Sequence, residues 1–382
     1  MKPRILFLIT EDWYFWSHRL SIARAARNSG FEVLVATRVN QHKERIENEG
    51  FRLIPIGLER KSKNIGKELF SILEIVKIYR REKPDIVHHV AVKPVLYGSW
   101  AARIAGIPGA VNALAGLGFI SVAQGWKASI LRRLVFFAYR SAFSAKNTVG
   151  IFQNPEDLKL FIDAGIVKNE KAALIRGSGV DTSRFIYSPE SVGIPTIVLA
   201  SRMLWDKGVG EFVDAARILK KDGIECRMIL VGNPDPENPA SISEETLHGW
   251  HAEGIVEWLG HQENMPSIFS QTHIVALPTT YGEGVPKVLI EAASCGRAIV
   301  ATDVPGCREI VRHNDNGLLV PPHDSKALAD AVKKLIENPE IRAKMGSHGR
   351  EIVKAEFSEE IVVRQTLELY NKLLKIAQFH SQ

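Results

Sequence analysis

At 382 residues, with 45% hydrophobic and 24% charged residues, the chain excludes wholesale disorder and a single ordinary core, and predicts two α/β domains. The net charge of +6 is uneven, since residues 1–190 carry 29 Lys/Arg against 17 Asp/Glu and residues 191–382 carry 20 against 26. Three cysteines without CxxC spacing favour a reducing cytoplasm, and no stretch reaches the ~18–20 apolar residues of a membrane span.

The first half alternates short apolar runs with segments of helical length. Strands are predicted at Arg4–Thr10, Glu32–Thr37, Ile86–His88, Ala110–Asn112, Asn147–Val149 and Ala172–Ile175. The first run is too short for a signal peptide, and a helical pattern runs from Ser17 to Gly30. This alternation predicts a parallel sheet with crossover helices on both faces.

The alternation restarts after residues 187–195, which are rich in turn formers. Strands are predicted at Thr196–Ser201, Cys226–Val231, Val256–Leu259, Ile274–Pro278 and Ala298–Ala301, with helices at Gly208–Lys220 and Pro286–Cys295. The predicted domains are therefore 1–190 and 191–357, with a C-terminal helix in 358–382 that packs back on the first. Two such open sheets are expected to face a cleft and bind ligands at the carboxyl ends of their strands.

One loop, 278–287, combines glycine, a carboxylate and a helix start. Its candidate ligand-binding residues are Gly282, Glu283, Gly284, Val285 and Pro286. Glycines let the backbone approach a ligand closely, and the N–H groups of a helix start suit a diphosphate. Glu291 lies eight residues after Glu283, so both carboxylates can reach one elongated ligand. An ordinary strand–turn–helix connection is the alternative.

Two further candidate segments also follow strands. Arg202 and Lys207 are five residues apart on one loop, so they can flank a pyrophosphate, although a surface salt bridge would use the same residue types. Gly232 follows the next strand.

The stretch between Asp85 and Glu156 contains no carboxylate, while seven Lys/Arg lie there. Within it, residues 126–140 alternate cations with apolar and aromatic residues, and Trp126 and Tyr139 are placed to lie at the headgroup level of an anionic membrane. A crossover helix with one basic face is the alternative. Nucleic acid is disfavoured because no recognition motif is present.

Several motifs in the second half resemble family 4 retaining glycosyltransferases of the GT-B fold. They are SGVDTSRF (178–185), SRMLWDKG (201–208), VGNP (231–234), WLG (258–260), EGVPKVLIEAASCG (283–296), ATDVPGCREIV (301–311) and NGLLVPP (316–322). In the first half, ITEDWYFWSHR (9–19), PDIVHHVAVKPVLYGSWAARIAGIP (84–108) and NALAGLGFIS (112–121) resemble a bacterial subgroup. Its members transfer an N-acetylhexosamine, often GalNAc, to polyprenyl-diphosphate-linked saccharides.

The resemblance implies roles for the donor-side residues. Arg202 and Lys207 would neutralise the leaving diphosphate of a UDP-sugar, and Glu283 would contact the sugar. Glu291 would bind the ribose, while Leu259 and Gly260 would bracket the base.

His88 and His89 are expected to end their strand and face the cleft, and the resemblance makes them catalytic candidates, because a histidine in this region of the wider family often contacts the donor sugar. The acceptor-binding candidates are Glu11, Asp12, His18, Lys93, Gly116 and Gly118. The enzyme would work on the cytoplasmic face of the inner membrane, as a peripheral protein.

The sequence predicts neither a metal nor another cofactor, because it has no DxD near a strand end. Three alternative functions stay open. The first is a GT-B-type sugar-nucleotide epimerase or hydrolase, and the second is a non-catalytic nucleotide-sugar-binding subunit. The third, a nicotinamide oxidoreductase, would need GxGxxG after the first strand, where TEDWYFWSHR stands instead.

Overall fold

The computed structural model describes residues 2–60, 64–116, 126–280 and 282–379. The chain divides into two compact units. Unit 1 comprises the described residues up to Ser178 together with those from Glu360 onward, and unit 2 comprises Gly179–Glu359. Each unit is a parallel sheet with helices on its faces, so the α/β prediction is confirmed.

Unit 1 is built from seven described strands. They are β1 (Arg4–Glu11), β2 (Glu32–Arg38), β3 (Arg52–Pro55), β4 (Ile86–Val90), β5 (Gly109–Leu114), β6 (Thr148–Phe152) and β7 (Ala172–Leu174). Its helices are α1 (Asp12–His18), α2 (Leu20–Asn28), α3 (Lys43–Asn48), α4 (Ile65–Glu82), α5 (Val92–Ala105), α6 (Trp126–Ala142) and α7 (Pro155–Asp163), with a 3-10 turn at Asn169–Lys171. Helix α1 begins earlier than predicted, because the aromatic run after β1 is helical.

The unit 1 sheet has the order β3-β2-β1-β4-β5-β6-β7. The strand order reverses between β1 and β4, which pair in parallel with Phe7 opposite His88. Both strands are almost wholly buried, as expected for a sheet covered on both faces. The carboxyl ends of β1 and β4 therefore form the topological switch point of this unit.

Unit 2 repeats the pattern with six described strands. They are β8 (Thr196–Ala200), β9 (Arg227–Val231), β10 (Glu257–Trp258), β11 (Ile274–Leu277), β12 (Ala298–Thr302) and β13 (Gly317–Val320). Its helices are α8 (Val209–Lys221), α9 (Glu244–Ala252), α10 (Met265–Ser270), α11 (Lys287–Ser294), α12 (Pro305–Ile310), α13 (Ser325–Glu337) and α14 (Pro339–Ile352), with a 3-10 turn at Trp205–Lys207 and a π-helix at Val353–Phe357. The sheet order is β10-β9-β8-β11-β12-β13, so β8 and β11 flank its switch point.

The division between the units comes earlier than the predicted boundary in 187–195. Residues 179–190 pack in unit 2, because its arginines bind their carbonyl and carboxylate oxygens. Arg342 forms a bidentate pair with Glu190 at 2.7–3.1 Å, and Arg350 donates to the carbonyl oxygen of Phe185 at 2.8 Å.

The last helix, α15 (Glu359–Phe379), completes the core of unit 1 from Glu360 onward. Val362, Tyr370 and Leu373 are buried in the cluster that holds Phe7 and Phe15. The Tyr370 hydroxyl is hydrogen-bonded to His88 Nδ1 at 2.5 Å, so a strand and a helix 282 residues apart share one polar contact.

Helix α6 exposes an apolar stripe. Its exposed apolar residues are Ile130, Leu131, Leu134 and Phe137, with Phe137 at 73% exposure. The side chain of Trp126 lies outside the described residues, and Tyr139 is fully buried, so the prediction that Tyr139 meets a membrane surface is wrong. In the described ranges, no helix combines the length and the apolar character that crossing a membrane requires.

Candidate active site

The two phosphate-binding loops of the sequence prediction come together at the switch point of unit 2. One follows β8 and carries Arg202 and Lys207, and the other, 278–286, follows β11. The backbone N–H of Thr280 donates to the carbonyl oxygen of Asp206 at 3.0 Å, and so does the Thr279 hydroxyl, also at 3.0 Å. The two loops lie close together because β8 and β11 are parallel neighbours and end at the same edge of the sheet. The two hydrogen bonds then fix the loops to each other.

Lys207 and Glu283 form an ion pair across these loops. Their side chains are 16% and 15% exposed, so the pair is largely shielded from water. The Thr279 hydroxyl donates a hydrogen bond to Glu283 Oε1 at 3.4 Å. The pair therefore holds an ammonium and a carboxylate at fixed positions at the carboxyl edge of the sheet.

Arg202 is held by Asp235, a carboxylate that the sequence analysis did not single out. Its Nη1 donates to Asp235 Oδ2 at 2.6 Å, and Asp235 is 11% exposed while Arg202 keeps 39% of its side-chain surface. Asp235 follows β9, the strand next to β8, so its place after a strand was the available signal. The carboxylate orients the guanidinium and leaves part of it open.

Two glycines allow the loops to approach this closely. A Cβ at Gly208, where φ is +74°, would lie 2.0 Å from the carbonyl oxygen of Pro278. A Cβ at Gly306, the second residue of α12, would lie 1.6 Å from the carbonyl oxygen of Gly284. Both distances are far below van der Waals contact, so the position of Gly282 and Gly284 depends on residues outside their own loop.

The remaining donor-side candidates lie at the same edge. Gly232 N donates to the carbonyl oxygen of Gly260 at 2.7 Å, and Trp258 Nε1 donates to the carbonyl oxygen of Gly232 at 2.8 Å. Leu259 beside them is 39% exposed. These contacts bring the ends of β9 and β10 together and leave an apolar side chain open to a flat ligand.

Helix α11 places Glu291 beside Lys287, with Nζ and Oε1 3.8 Å apart. Burial raises the pKa of Glu291, while Lys287 and Arg184 oppose that rise. Pro286 caps the helix start, and the Val285 side chain is buried in the core. The side chain of Val285 is therefore part of the core of unit 2.

In unit 1, His88 and His89 do not end their strand as predicted, because β4 continues to Val90 and both rings are buried. His89 is hydrogen-bonded through Nε2 to Tyr79 at 2.9 Å and through Nδ1 to Asn112 at 2.7 Å. Burial lowers the pKa of His89 to about 4. His89 is therefore a neutral core histidine, with no ring nitrogen left for a substrate.

Glu11 and Asp12 also form structural contacts. Asp12 is fully buried and its Oδ2 accepts the backbone N–H groups of Asn40, Gln41 and His42 at 2.7–2.9 Å. Glu11 is 2% exposed and pairs with Arg38 and Arg60 at 3.0 and 3.3 Å. Their carboxylates fasten the loop after β2 to the end of β1, and acceptor binding by these two side chains stays a prediction.

The other acceptor candidates are spread over unit 1. Lys93 donates to the carbonyl oxygen of Glu59 and to Glu68 Oε1, both at 2.8 Å. His18 stacks on Tyr14 with ring centroids 4.2 Å apart. Gly116 lies two residues after β5 with φ at +93°, and Gly118 lies outside the described residues.

Among the described residues, no three His, Cys, Asp or Glu side chains are grouped so that they could hold a metal ion.

Comparison with known families assigns both halves of the chain. Residues 4–152 match the glycosyl transferase 4-like family, and residues 194–338 match glycosyl transferases group 1. The chain is a glycosyltransferase, with glycosyltransferase domains matched in both halves. The second match contains both loops of the switch point, so the charged residues described above lie inside the domain that defines this glycosyltransferase.

Curated relatives of this glycosyltransferase include bacterial enzymes of similar length. N,N'-diacetylbacillosaminyl-diphospho-undecaprenol alpha-1,3-N-acetylgalactosaminyltransferase of Campylobacter jejuni is 27% identical over 97% of this chain and 99% of its own. Capsular polysaccharide biosynthesis glycosyltransferase CapM of Staphylococcus aureus is 25% identical over 91% and 92%. UDP-Gal:alpha-D-GlcNAc-diphosphoundecaprenol alpha-1,3-galactosyltransferase of Escherichia coli is 24% identical over 71% of each chain.

Solved structures confirm the predicted GT-B fold. Sucrose-phosphate synthase from Thermosynechococcus elongatus superposes with a TM-score of 0.80 at 19% identity, over 98% of this chain and 100% of that one. Anabaena HepE in complex with UDP gives 0.73 at 20% identity, over 97% and 100%. At these identities the likeness concerns the fold.

Proposed function

We propose that this glycosyltransferase moves an N-acetylhexosamine such as GalNAc from a UDP-sugar to a polyprenyl-diphosphate-linked saccharide, with retention of configuration. The observation that carries the donor half is the shielded Lys207–Glu283 pair at the switch point, beside the half-open Arg202. The relatives from C. jejuni and E. coli, whose names specify diphospho-undecaprenol acceptors, support the acceptor half.

The charges at the switch point suit a reaction in which a nucleoside diphosphate leaves. As the bond between the anomeric carbon and the β-phosphate oxygen breaks, negative charge grows on that oxygen. Arg202 and Lys207 supply positive charge there, which stabilises the transition state more than the ground state. We propose that these two cations make a divalent metal unnecessary.

Retention follows if the acceptor hydroxyl attacks the face from which the diphosphate departs. The acceptor oxygen forms the new bond to the anomeric carbon, the old carbon–oxygen bond breaks, and the leaving phosphate takes the hydroxyl proton. No separate strong base is required. Glu283 would bind donor-sugar hydroxyls and offset the positive charge on the anomeric carbon, while its contact with Lys207 keeps the ammonium in place.

The nucleotide would lie along the carboxyl ends of the neighbouring strands. We assign the ribose hydroxyls to Glu291, a largely buried carboxylate with Lys287 beside it. We assign binding of the nucleotide base to the backbone at Gly260 and to the exposed Leu259, since the hydrogen bond from Gly232 N to the carbonyl oxygen of Gly260 holds that edge of the sheet in place. HepE, a protein of the same fold, has been solved with UDP and with UDP-glucose.

We propose peripheral contact with an anionic, cytoplasmic membrane surface through α6, because its apolar stripe lies among cations. Arg132, Arg133 and Arg140 are exposed on the same helix as Leu134 and Phe137. An interfacial helix combines these features, with the apolar side chains in the headgroup boundary and the cations at lipid phosphates. Leu134→Ser with Phe137→Ser should weaken sedimentation with anionic vesicles. Ile341→Ser, at an exposed apolar residue of unit 2, is the control.

A panel of UDP-sugars assayed against polyprenyl-diphosphate-linked acceptors tests the function, with NMR of the product anomer for stereochemistry. Lys207→Ala and Glu283→Gln should each lower turnover by about two to three orders of magnitude, as expected for losing one preset electrostatic group. Glu257→Gln is a matched control because its carboxylate pairs with Arg227 on the surface of unit 2. Wild-type turnover in Glu283→Gln would remove that residue from the site, and an inverted product would refute the retaining mechanism.

A further inference from the structure

Unit 1 contains a buried arginine without a counter-charge. Arg19 is 3% exposed, and no Asp or Glu of the described chain forms an ion pair with it. Its Nη1 donates to the carbonyl oxygen of His18 at 2.9 Å, and its Nε has no hydrogen-bond partner. By contrast, the buried Arg342 forms a bidentate ion pair with Glu190.

A buried guanidinium in this condition is costly to the folded protein. Moving a charge out of water is unfavourable unless an opposite charge or a full set of hydrogen bonds replaces the lost hydration. An unsatisfied buried polar group in a native protein calls for an explanation, and a bound ion is one of the recognised explanations. Arg19 therefore indicates an anion that this unit binds.

A second polar atom close to Arg19 has the same property. His88 is 1% exposed, its Nδ1 is bonded to the Tyr370 hydroxyl, and its Nε2 has no partner. Burial and the charge of Arg19 lower the pKa of His88, so its ring is neutral and the guanidinium lies nearby. When the Tyr370 hydroxyl donates to Nδ1, Nε2 carries the proton and offers an unused donor.

Arg19 lies between α1 and α2, in the segment that follows the carboxyl end of β1. Arg19 Cζ lies 5.9 Å from the ring centroid of Tyr14, in the first turn of α1. Since β1 and β4 flank the switch point of unit 1, Arg19 belongs to the segment that follows one of these two strand ends.

We propose that Arg19, with His88 Nε2 as an auxiliary donor, binds the diphosphate of the lipid-linked acceptor. The inference rests on the proposed function for the identity of the anion, since that acceptor is the substrate that brings a diphosphate to unit 1. A guanidinium binds two phosphate oxygens at once, which an ammonium cannot do. Arg19 is thus an acceptor-positioning residue and takes no part in breaking the donor bond.

The kinetic test compares Arg19→Met, Arg19→Lys and wild type in steady-state transfer from the UDP-sugar. Arg19→Met should raise KM for the polyprenyl-diphosphate acceptor by about 10–100-fold and leave KM for the UDP-sugar unchanged, as expected for a lost charge-assisted contact. Arg19→Lys should recover part of the loss. Arg24→Met is the matched control, because Arg24 is on α2 and pairs with Glu49 at the surface. An equal rise in both KM values, or none, would overturn the assignment.

A binding test works without turnover and separates this inference from the proposed function. With UDP saturating the donor site, inorganic pyrophosphate should raise the Tm of the wild type and of Arg24→Met but not of Arg19→Met. Without pyrophosphate, Arg19→Met should unfold at the same temperature as the wild type or higher, because it removes an unpaired buried charge. A fall in Tm would show that Arg19 is structural and overturn the inference. Absence of transfer to every lipid-linked acceptor, with pyrophosphate binding intact, would instead overturn the proposed acceptor.

Discussion

Acidification should destabilise unit 1 through His89. This ring is fully buried between Tyr79 and Asn112, and burial lowers its pKa from 6.5 to about 4. The His89 ring of the unfolded chain therefore binds a proton below about pH 6.5, whereas the ring of the folded unit binds it only below about pH 4. The stabilisation from the neutral ring is present above pH 6.5 and is lost as the pH falls through this interval.

The size of the effect follows from the two pKa values. The full loss below pH 4 is about 3 kcal/mol, and about 2 kcal/mol of it is already lost between pH 7 and pH 5. The ring packs closely against Gly98, and a Cβ added to this glycine would lie only 2.5 Å from His89 Cδ2. There is therefore little space for the ring to move on this side. The ring therefore cannot turn toward water, where its protonation would cost less free energy, without disturbing α5.

Urea unfolding at pH 7, 6 and 5 measures how the free energy of unfolding depends on pH in the wild type and in His89→Gln, whose amide can still bond Tyr79. The variant should be less stable at pH 7 but should lose about 2 kcal/mol less than the wild type between pH 7 and pH 5. His88, whose pKa is also lowered by burial, is present in both proteins and so cancels in the comparison. Parallel pH dependence in the two proteins would refute the argument.

Three further predictions concern unit 2 and the reaction. Gly306→Ala should raise KM for the UDP-sugar at least several-fold, because its Cβ displaces the Gly284 carbonyl, whereas Gly249→Ala, with open space around it, should match wild-type kinetics. Arg342→Met should lower the free energy of unfolding by about 3 kcal/mol in urea denaturation, because Glu190 loses the partner of a shielded pair, and an unchanged midpoint would contradict this. EDTA should leave transfer intact if the two cations replace a metal, and its abolition by EDTA would refute their assignment.

The parts of the site that the sequence could predict are those set by strand order. Arg202, Lys207 and Glu283 each stand shortly after an apolar run, and neighbouring parallel strands bring such positions to one edge whatever the intervening residues are. The motif resemblance added the order of the loops. Strand ends and loop chemistry were therefore sufficient to predict that these charged loops lie together at one edge of the sheet.

The acceptor side was harder because burial decides it. Glu11 and Asp12 follow a strand as a site residue would, but three backbone N–H groups from the next loop and two arginines take up their carboxylates. His88 and His89 point to opposite faces of one strand, and their partners lie 282 and 10 residues away. No local sequence pattern reveals which polar groups find partners over such separations. For the same reason, the sequence alone could not show that Arg19 is buried without a counter-charge.

The polypeptide leaves and re-enters unit 1 through two segments that are bonded to each other in unit 2. Val180 N donates to the carbonyl oxygen of Phe357, and Glu359 N donates to that of Val180, both at 3.0 Å. During synthesis, unit 2 can fold as one continuous stretch as soon as residue 359 emerges. Unit 1 has to wait for Tyr370 and Leu373, the last parts of its core, although its first strand emerged long before. The core of unit 1 is therefore completed only by residues synthesised after every strand of unit 2.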